Sequence, residues 1–403
     1  QIAEQEAEQK QAEQKRTKFE DKVADKRVKQ RTGEQKARES GRSNNDFRSP
    51  ITIQSLATLA VRSVSKLGGV VETIVPFPQL IQLSPASVDA RAVGERLLQR
   101  GEFKSAISSY TIALAASPND ASIYLKRAQA REQSGELIEA LLDYNKAIQI
   151  NPSDSAAYIA RAGNLSLAGD KQAAMLDYTK AVELTPLNET ARLRRAELLT
   201  ELGDRQQALV DYSMILQSNS GNMVALYSRG NLYSDIGYRD DAIKDFDKII
   251  SAHPNHAAAL FKRGRLRDDL GDKVGAVEDY TRSLKVSPRQ ANVYNNRGIV
   301  RASIGDFKGA NFDYSKAIEI QPSLTAAFNN RATALVSQGL YRAAIDDYSI
   351  AIRQQPAYSA AYANRGIAYE LLGDIQNACQ DWRKASELGD AQARQWLTAQ
   401  CSK

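Results

Sequence analysis

The chain has 403 residues, 42% of them hydrophobic and 25% charged, with a net charge of +6, a balance ordinary for a folded globular protein. Two cysteines, Cys379 and Cys401, exclude a disulfide framework and a CxxC pair, and they read as two free thiols in preference to one bridge. The only histidines, His253 and His256 in "HPNH", supply at most two ligands where a structural metal site takes four, so they read as loop residues.

Residues 1–32, "QIAEQEAEQKQAEQKRTKFEDKVADKRVKQRT", are rich in helix formers and carry pairs such as Glu6–Lys10 and Asp25–Lys29 at i,i+4. Phe19 and Val23 are their one good apolar pair, which is too little for a heptad seam. This arm reads as a solvated helical spacer, an extension ordered by a partner, or a disordered segment. It starts at Gln1, which suits a processed or trimmed N-terminus. Residues 33–50, "GEQKARESGRSNNDFRSP", read as linker. Residues 51–86 read as an amphipathic docking segment. Leu56, Leu59, Val64, Leu67 and Val71 fall near one helical face, and Arg62 and Lys66 fall elsewhere. A stripe of this kind packs on protein, its own or a partner's, more often than on a membrane surface. The most apolar window, 67–83, is interrupted by Glu72, Pro76 and Pro78 and is too short to span a bilayer.

From Ser87 the chain falls into nine blocks of 34 residues, ending at 392. The fifteenth position is always Gly, from Gly101 to Gly373, and the twentieth always Ala, from Ala106 to Ala378. The twenty-fourth is always aromatic, from Tyr110 to Trp382, and the eighth is Gly or Ala throughout. Glycine takes the left-handed conformation that ends a helix, and a small residue facing a large one lets two helices interdigitate. Proline closes most blocks, so each block is a helix–turn–helix unit. Block four departs, with Ser220 in place of Pro and Ile215 where Ala is common, which predicts a different angle to its neighbour. After block nine, "LGDAQARQWLTAQC" (388–401) predicts one more helix, with Asp390 as N-cap and Trp396 and Leu397 on its buried face; 393–403 is its end.

An Arg occupies position seven in blocks two to nine: Arg127, Arg161, Arg195, Arg229, Arg263, Arg297, Arg331 and Arg365. In the same blocks position twenty-three is Asp: Asp143, Asp177, Asp211, Asp245, Asp279, Asp313, Asp347 and Asp381. Both positions lie eight residues from the Gly at fifteen, on antiparallel helices, and so stand level with one another. Block one lacks both, having Val93 and Ser109. The pattern reads as a structural Arg–Asp ladder rather than an arginine comb for acidic ligands.

This pattern resembles the tetratricopeptide repeat closely over 87–392, about three quarters of the chain. The resemblance implies an all-α, right-handed superhelical solenoid of nine repeats, with a C-terminal capping helix and an extended helical N-terminal arm. It also implies that the first helix of each unit lines the concave face, chiefly through positions two, five, six, nine and twelve. The candidate groove is then apolar at Ile159, Leu193, Tyr227 and Phe261, and amide-rich at Asn295, Asn296, Asn329, Asn330 and Asn364. No three consecutive blocks supply the Lys, Asn and Arg set with which such repeats clamp acidic chaperone tails.

No phosphate loop, zinc-protease helix or nucleophile elbow is present, so a non-catalytic adaptor without metal or cofactor is expected. The texture "AIxDYxxAI", "NRG" and "LGD" is similar to cyanobacterial and plastid members of the family. That resemblance implies a scaffold for a large, photosynthetic complex, at the thylakoid surface. The alternatives are an RNA-binding helical-repeat protein and a peripheral membrane tether acting through 51–83. Residues 87–403 carry 39 Lys/Arg against 37 Asp/Glu, which disfavours RNA.

Overall fold

The computed structural model describes residues 86–401. The expectations for the arm, the linker and the segment 51–83 fall outside these residues. Among the described residues all regular structure is helical. The first helices in chain order are α1 (Ala86–Gln99), α2 (Phe103–Ala116), α3 (Ala121–Ser134), α4 (Leu137–Ile150), α5 (Ser155–Leu167) and α6 (Lys171–Leu184). Next come α7 (Glu189–Glu201), α8 (Arg205–Ser218), α9 (Met223–Asp235), α10 (Arg239–Ala252), α11 (Ala257–Asp269) and α12 (Lys273–Val286). The series closes with α13 (Ala291–Ser303), α14 (Phe307–Ile320), α15 (Thr325–Val336), α16 (Tyr341–Gln354), α17 (Ser359–Leu371), α18 (Ile375–Glu387) and α19 (Ala391–Gln400). Odd and even helices pair into hairpins, α1 with α2 through α17 with α18, and each hairpin stacks on the next.

Local chemistry explains the turns. Gly271 has φ +89°, and no atom lies within 4 Å of where its Cβ would sit, so backbone conformation and not space requires glycine there. One residue on, the Asp272 carboxylate accepts the Gly275 amide at 2.9 Å and caps α12. First helices are capped the same way, by Asp154 on α5 and Asn222 on α9. His256 is not an idle loop residue: its Nδ1 accepts the Ala259 amide at 3.1 Å and caps α11.

Packing follows the large-against-small rule. Tyr110, Tyr144, Tyr280, Tyr314, Tyr348, Phe246 and Trp382 are fully buried in the second helices. Each faces the small residue at the eighth position of its own hairpin. A Cβ added to Gly298 would stand 2.7 Å from the Tyr314 ring, and one on Gly366 would stand 2.5 Å from the Trp382 ring nitrogen. The largest apolar cluster runs from α7 to α11 and includes Ile215, Leu226, Phe246, Ile249 and Leu260. Ile215, the departure in block four, is fully buried there and, like Ile249 in the next hairpin, adds apolar volume where six of the hairpins carry Ala.

The chain's end differs from the sequence reading in one respect. Asp390 accepts the Ala393 amide and starts α19, whose Trp396 and Leu397 pack on the cluster around Trp382. Cys379 and Cys401, however, are bonded to one another, with Cα atoms 5.7 Å apart. Their 22-residue separation hid this. Antiparallel packing of α18 and α19 about the turn at Leu388–Asp390 returns the chain to the height of Cys379, within bonding reach.

Candidate functional site

The eight arginines at position seven form one recurring constellation. In every case Nε and Nη2 donate to the two carboxylate oxygens of the Asp sixteen residues later, at 2.6 to 2.9 Å. The planar guanidinium matches the carboxylate edge to edge, which a lysine could not do. Arg297 and Asp313 are the most deeply placed pair, with side chains 8% and 0% exposed. Burial alone would lower the Arg263 pKa, but its bonds to Asp279 and Asp247 outweigh that and raise it further. Five of these guanidiniums also lie over an aromatic ring three residues earlier, as Arg297 does over Tyr294 at 5.5 Å.

A third contact was not legible as a pair in the sequence. The remaining nitrogen, Nη1, reaches back to position twenty-five of the preceding hairpin, again sixteen residues away. Its acceptors are Thr111, Asn145, Ser213, Asp247, Thr281, Ser315 and Ser349. The signal was a column that is always polar yet never the same residue for long. Each arginine therefore fastens its own two helices together and ties them to the hairpin before. Arg195 departs from the series. There Arg192 supplies the link, donating to the Pro186 carbonyl at 2.6 Å and to Asp211 at 2.7 Å. A second arginine, at position eleven, joins the ladder in three hairpins: Arg131 to Asp143, Arg267 to Asp279 and Arg301 to Asp313. No charge of this series is left over for a ligand.

The candidate groove residues fall into two groups. Ile159, Leu193, Tyr227 and Phe261 are half-buried and packed against the inner clusters, so each presents only part of its apolar surface. The amides behave differently. Asn364 donates to Asn329 at 3.4 Å, Asn329 to Asn330 at 3.4 Å, and Asn330 to Asn295 at 3.1 Å. Three consecutive first helices, α13, α15 and α17, are thus joined by a one-way chain of side-chain amides. Asn295 and Asn329 are buried, while Asn296, Asn330 and Asn364 remain half-exposed. Each amide in the chain keeps a second N–H or lone pair for another partner.

One titratable group stands apart. Glu132, at the end of α3, is half-buried, and burial raises its pKa above 4.5, although the Tyr144 hydroxyl (3.2 Å) and the buried Asn164 amide favour its charged form. Because the folded pKa is the higher one, the fold binds this proton more tightly than the unfolded chain. Its stabilising effect is present below about pH 4.5 and fades as pH rises through the folded value. Glu132→Gln is therefore expected to raise the urea midpoint at pH 7 and to leave it unchanged at pH 4. A variant less stable than wild type at pH 7 would contradict this.

Among the described residues there is no cluster of three or more His, Cys, Asp or Glu suited to a metal, and no helix is long and apolar enough to cross a membrane.

The geometry defines a class, the helical-repeat solenoid, in which similar hairpins stack and first helices lie beside the first helices of neighbouring units. Within that class the stacked hairpins are consistent with the tetratricopeptide-repeat superhelix, and the family model "Tetratricopeptide repeat" matches residues 92–155, 227–291 and 329–393. Among solved structures, the MamA protein is 25% identical, with a TM-score of 0.40 over 43% of this chain and 94% of that one. A tetratricopeptide repeat protein from Parabacteroides merdae is 21% identical, with a TM-score of 0.47 over 62% of this chain and 100% of its own. YrrB, described as a TPR protein with an unusual peptide-binding site, is 18% identical, with a TM-score of 0.42 over 46% of this chain and 97% of its own. No curated protein sequence matches the chain.

Proposed function

We propose that the protein is a non-catalytic scaffold that holds an extended segment of another protein along the joined face of its first helices. On this reading all nine hairpins of 87–392 are tetratricopeptide repeats, 393–403 ends the cap, 51–86 is the docking segment, and 33–50 links it to the charged arm 1–32. The observation that carries it is the amide chain from Asn364 through Asn329 and Asn330 to Asn295. It places matching polar groups side by side on successive units, at a spacing fixed by the stack, with donors and acceptors to spare. A peptide backbone presents the same two kinds of group in alternation. Ile159, Leu193, Tyr227 and Phe261 extend the surface with partly open apolar patches, and Asn296 adds a further amide. The Arg–Asp series belongs to the scaffold, since its bonds are spent within and between hairpins. The extension to a large photosynthetic complex at a thylakoid surface rests on sequence texture alone.

A peptide-library selection on the intact chain, followed by calorimetry, tests the proposal. Selected peptides are expected to lose about tenfold in affinity on an Asn330→Ala, Asn364→Ala double variant, the equivalent of one or two good hydrogen bonds. Undiminished binding would remove the amide face from the site. Strong, salt-sensitive binding of single-stranded RNA in its place would replace the scaffold reading with a nucleic-acid one.

A further inference from the structure

The last helix is held differently from every other. Hairpins α3/α4 to α17/α18 are each fastened by an arginine fork, and most also reach back to the unit before. The helix α19 has no such fork, because Asp381 is already taken by Arg365. Position twenty-five of the last hairpin is Arg383, where its neighbours carry hydroxyl acceptors. With ten residues, α19 is too short to persist unaided. Of its side chains only Ala393 is fully buried, while Trp396 and Leu397 rest half-covered against the cluster of Trp382, Tyr362 and Tyr369. Its start is fixed by the short turn and the Asp390 cap. Its far end is fixed by the Cys379–Cys401 bridge, whose two residues are both only half-buried.

We infer that this bridge is a redox-operated latch on the end cap. A thiolate of an external dithiol attacks either sulfur and the Cys379–Cys401 bond breaks, leaving a mixed disulfide and one cysteine thiolate, which takes up a proton. The second thiol of the reductant then displaces the other cysteine. Both cysteines end as thiols, and the dithiol, having given up two electrons and two protons, ends as its cyclic disulfide. Without the bridge the last turns of α19 separate from α18, and the apolar end formed by Trp382, Tyr362 and Tyr369 is uncovered. Oxidation restores the cap.

The chain supplies its own reporter, since it contains two tryptophans and these are Trp382 and Trp396, with ring centroids 5.7 Å apart. Dithiothreitol on the full-length protein is expected to red-shift tryptophan emission. It is also expected to speed tryptic cleavage after Arg394 by about tenfold without altering cleavage elsewhere in the repeats, as local opening of one terminal helix would. The Cys379→Ser, Cys401→Ser variant should behave as the reduced protein whether or not dithiol is present. Thiol titration follows the reaction. Two free thiols with unchanged emission and unchanged Arg394 cleavage would overturn the latch, and so would two free thiols in air-oxidised protein before any reductant is added.

Discussion

Replacing Asp313 with Ala is expected to cost about 3–5 kcal/mol, the range for removing one partner of a buried ion pair. Asp313 is fully buried and accepts from Arg297 through both oxygens and from Arg301 as well. Its loss leaves the buried Arg297 guanidinium with Thr281 as its remaining acceptor and takes from Arg301 its closest carboxylate. Asp313→Asn should recover part of the loss, because the amide oxygen still accepts one bond while the amide nitrogen meets a donor. Amide hydrogen exchange is the suitable measurement, since repeat arrays unfold in parts and a single global midpoint blurs a local effect. Protection should fall chiefly in α13 and α14 and spread to α12, whose Thr281 accepts the third arm of Arg297. Unchanged protection there would mean that the ladder adds little to the fold and that the arginines are free for another purpose.

The second large effect concerns Gly366 and Trp382. Gly366→Ala on its own should destabilise the last hairpin by about 1–3 kcal/mol, because the new Cβ meets the rigid indole and overpacks the site. Better helix propensity, which favours Ala by about 1 kcal/mol, does not offset a contact of 2.5 Å with a ring. Trp382→Tyr on its own leaves a space beside the glycine and is also expected to destabilise. Combining the two recreates the pairing already present in the preceding hairpin, where Ala332 faces Tyr348 and both are buried. The double variant should therefore be more stable than either single one, an interaction readable in a double-mutant cycle by thermal unfolding. Additive losses would mean that the indole is held by its Trp396 contact and not by the glycine opposite.

Most of the scaffold was legible in the sequence because it repeats. A column that returns every 34 residues states its own structural requirement, and the pairing of position seven with twenty-three follows from equal distance to one glycine. Features that depend on stacking were less visible. The backward arm of each arginine was hidden because its acceptor changes among Thr, Asn, Ser and Asp, all of which can accept. The amides of the candidate groove stood out as a column, but their one-way chain across three helices depends on lateral spacing that only stacking sets. Likewise the apolar groove positions could be named but not their depth, which depends on how far each first helix turns toward the cores. The bridge between Cys379 and Cys401 was missed for the same reason: two residues 22 apart meet only when a hairpin brings them back together.

The arginine fork has a consequence for how such a chain changes length. Seven of the eight arginines find one partner sixteen residues ahead and another sixteen behind, so a unit of 34 residues carries half of two junctions and completes both where it is inserted. Duplicating one unit in frame regenerates every tie without altering a residue elsewhere. Removing residues 257–290 would place Arg297 sixteen positions after Asp247, an acceptor already present in the column. Growth and shortening by whole units are therefore built into the spacing, while the Cys379–Cys401 bridge holds α19 by a tie that lies outside it.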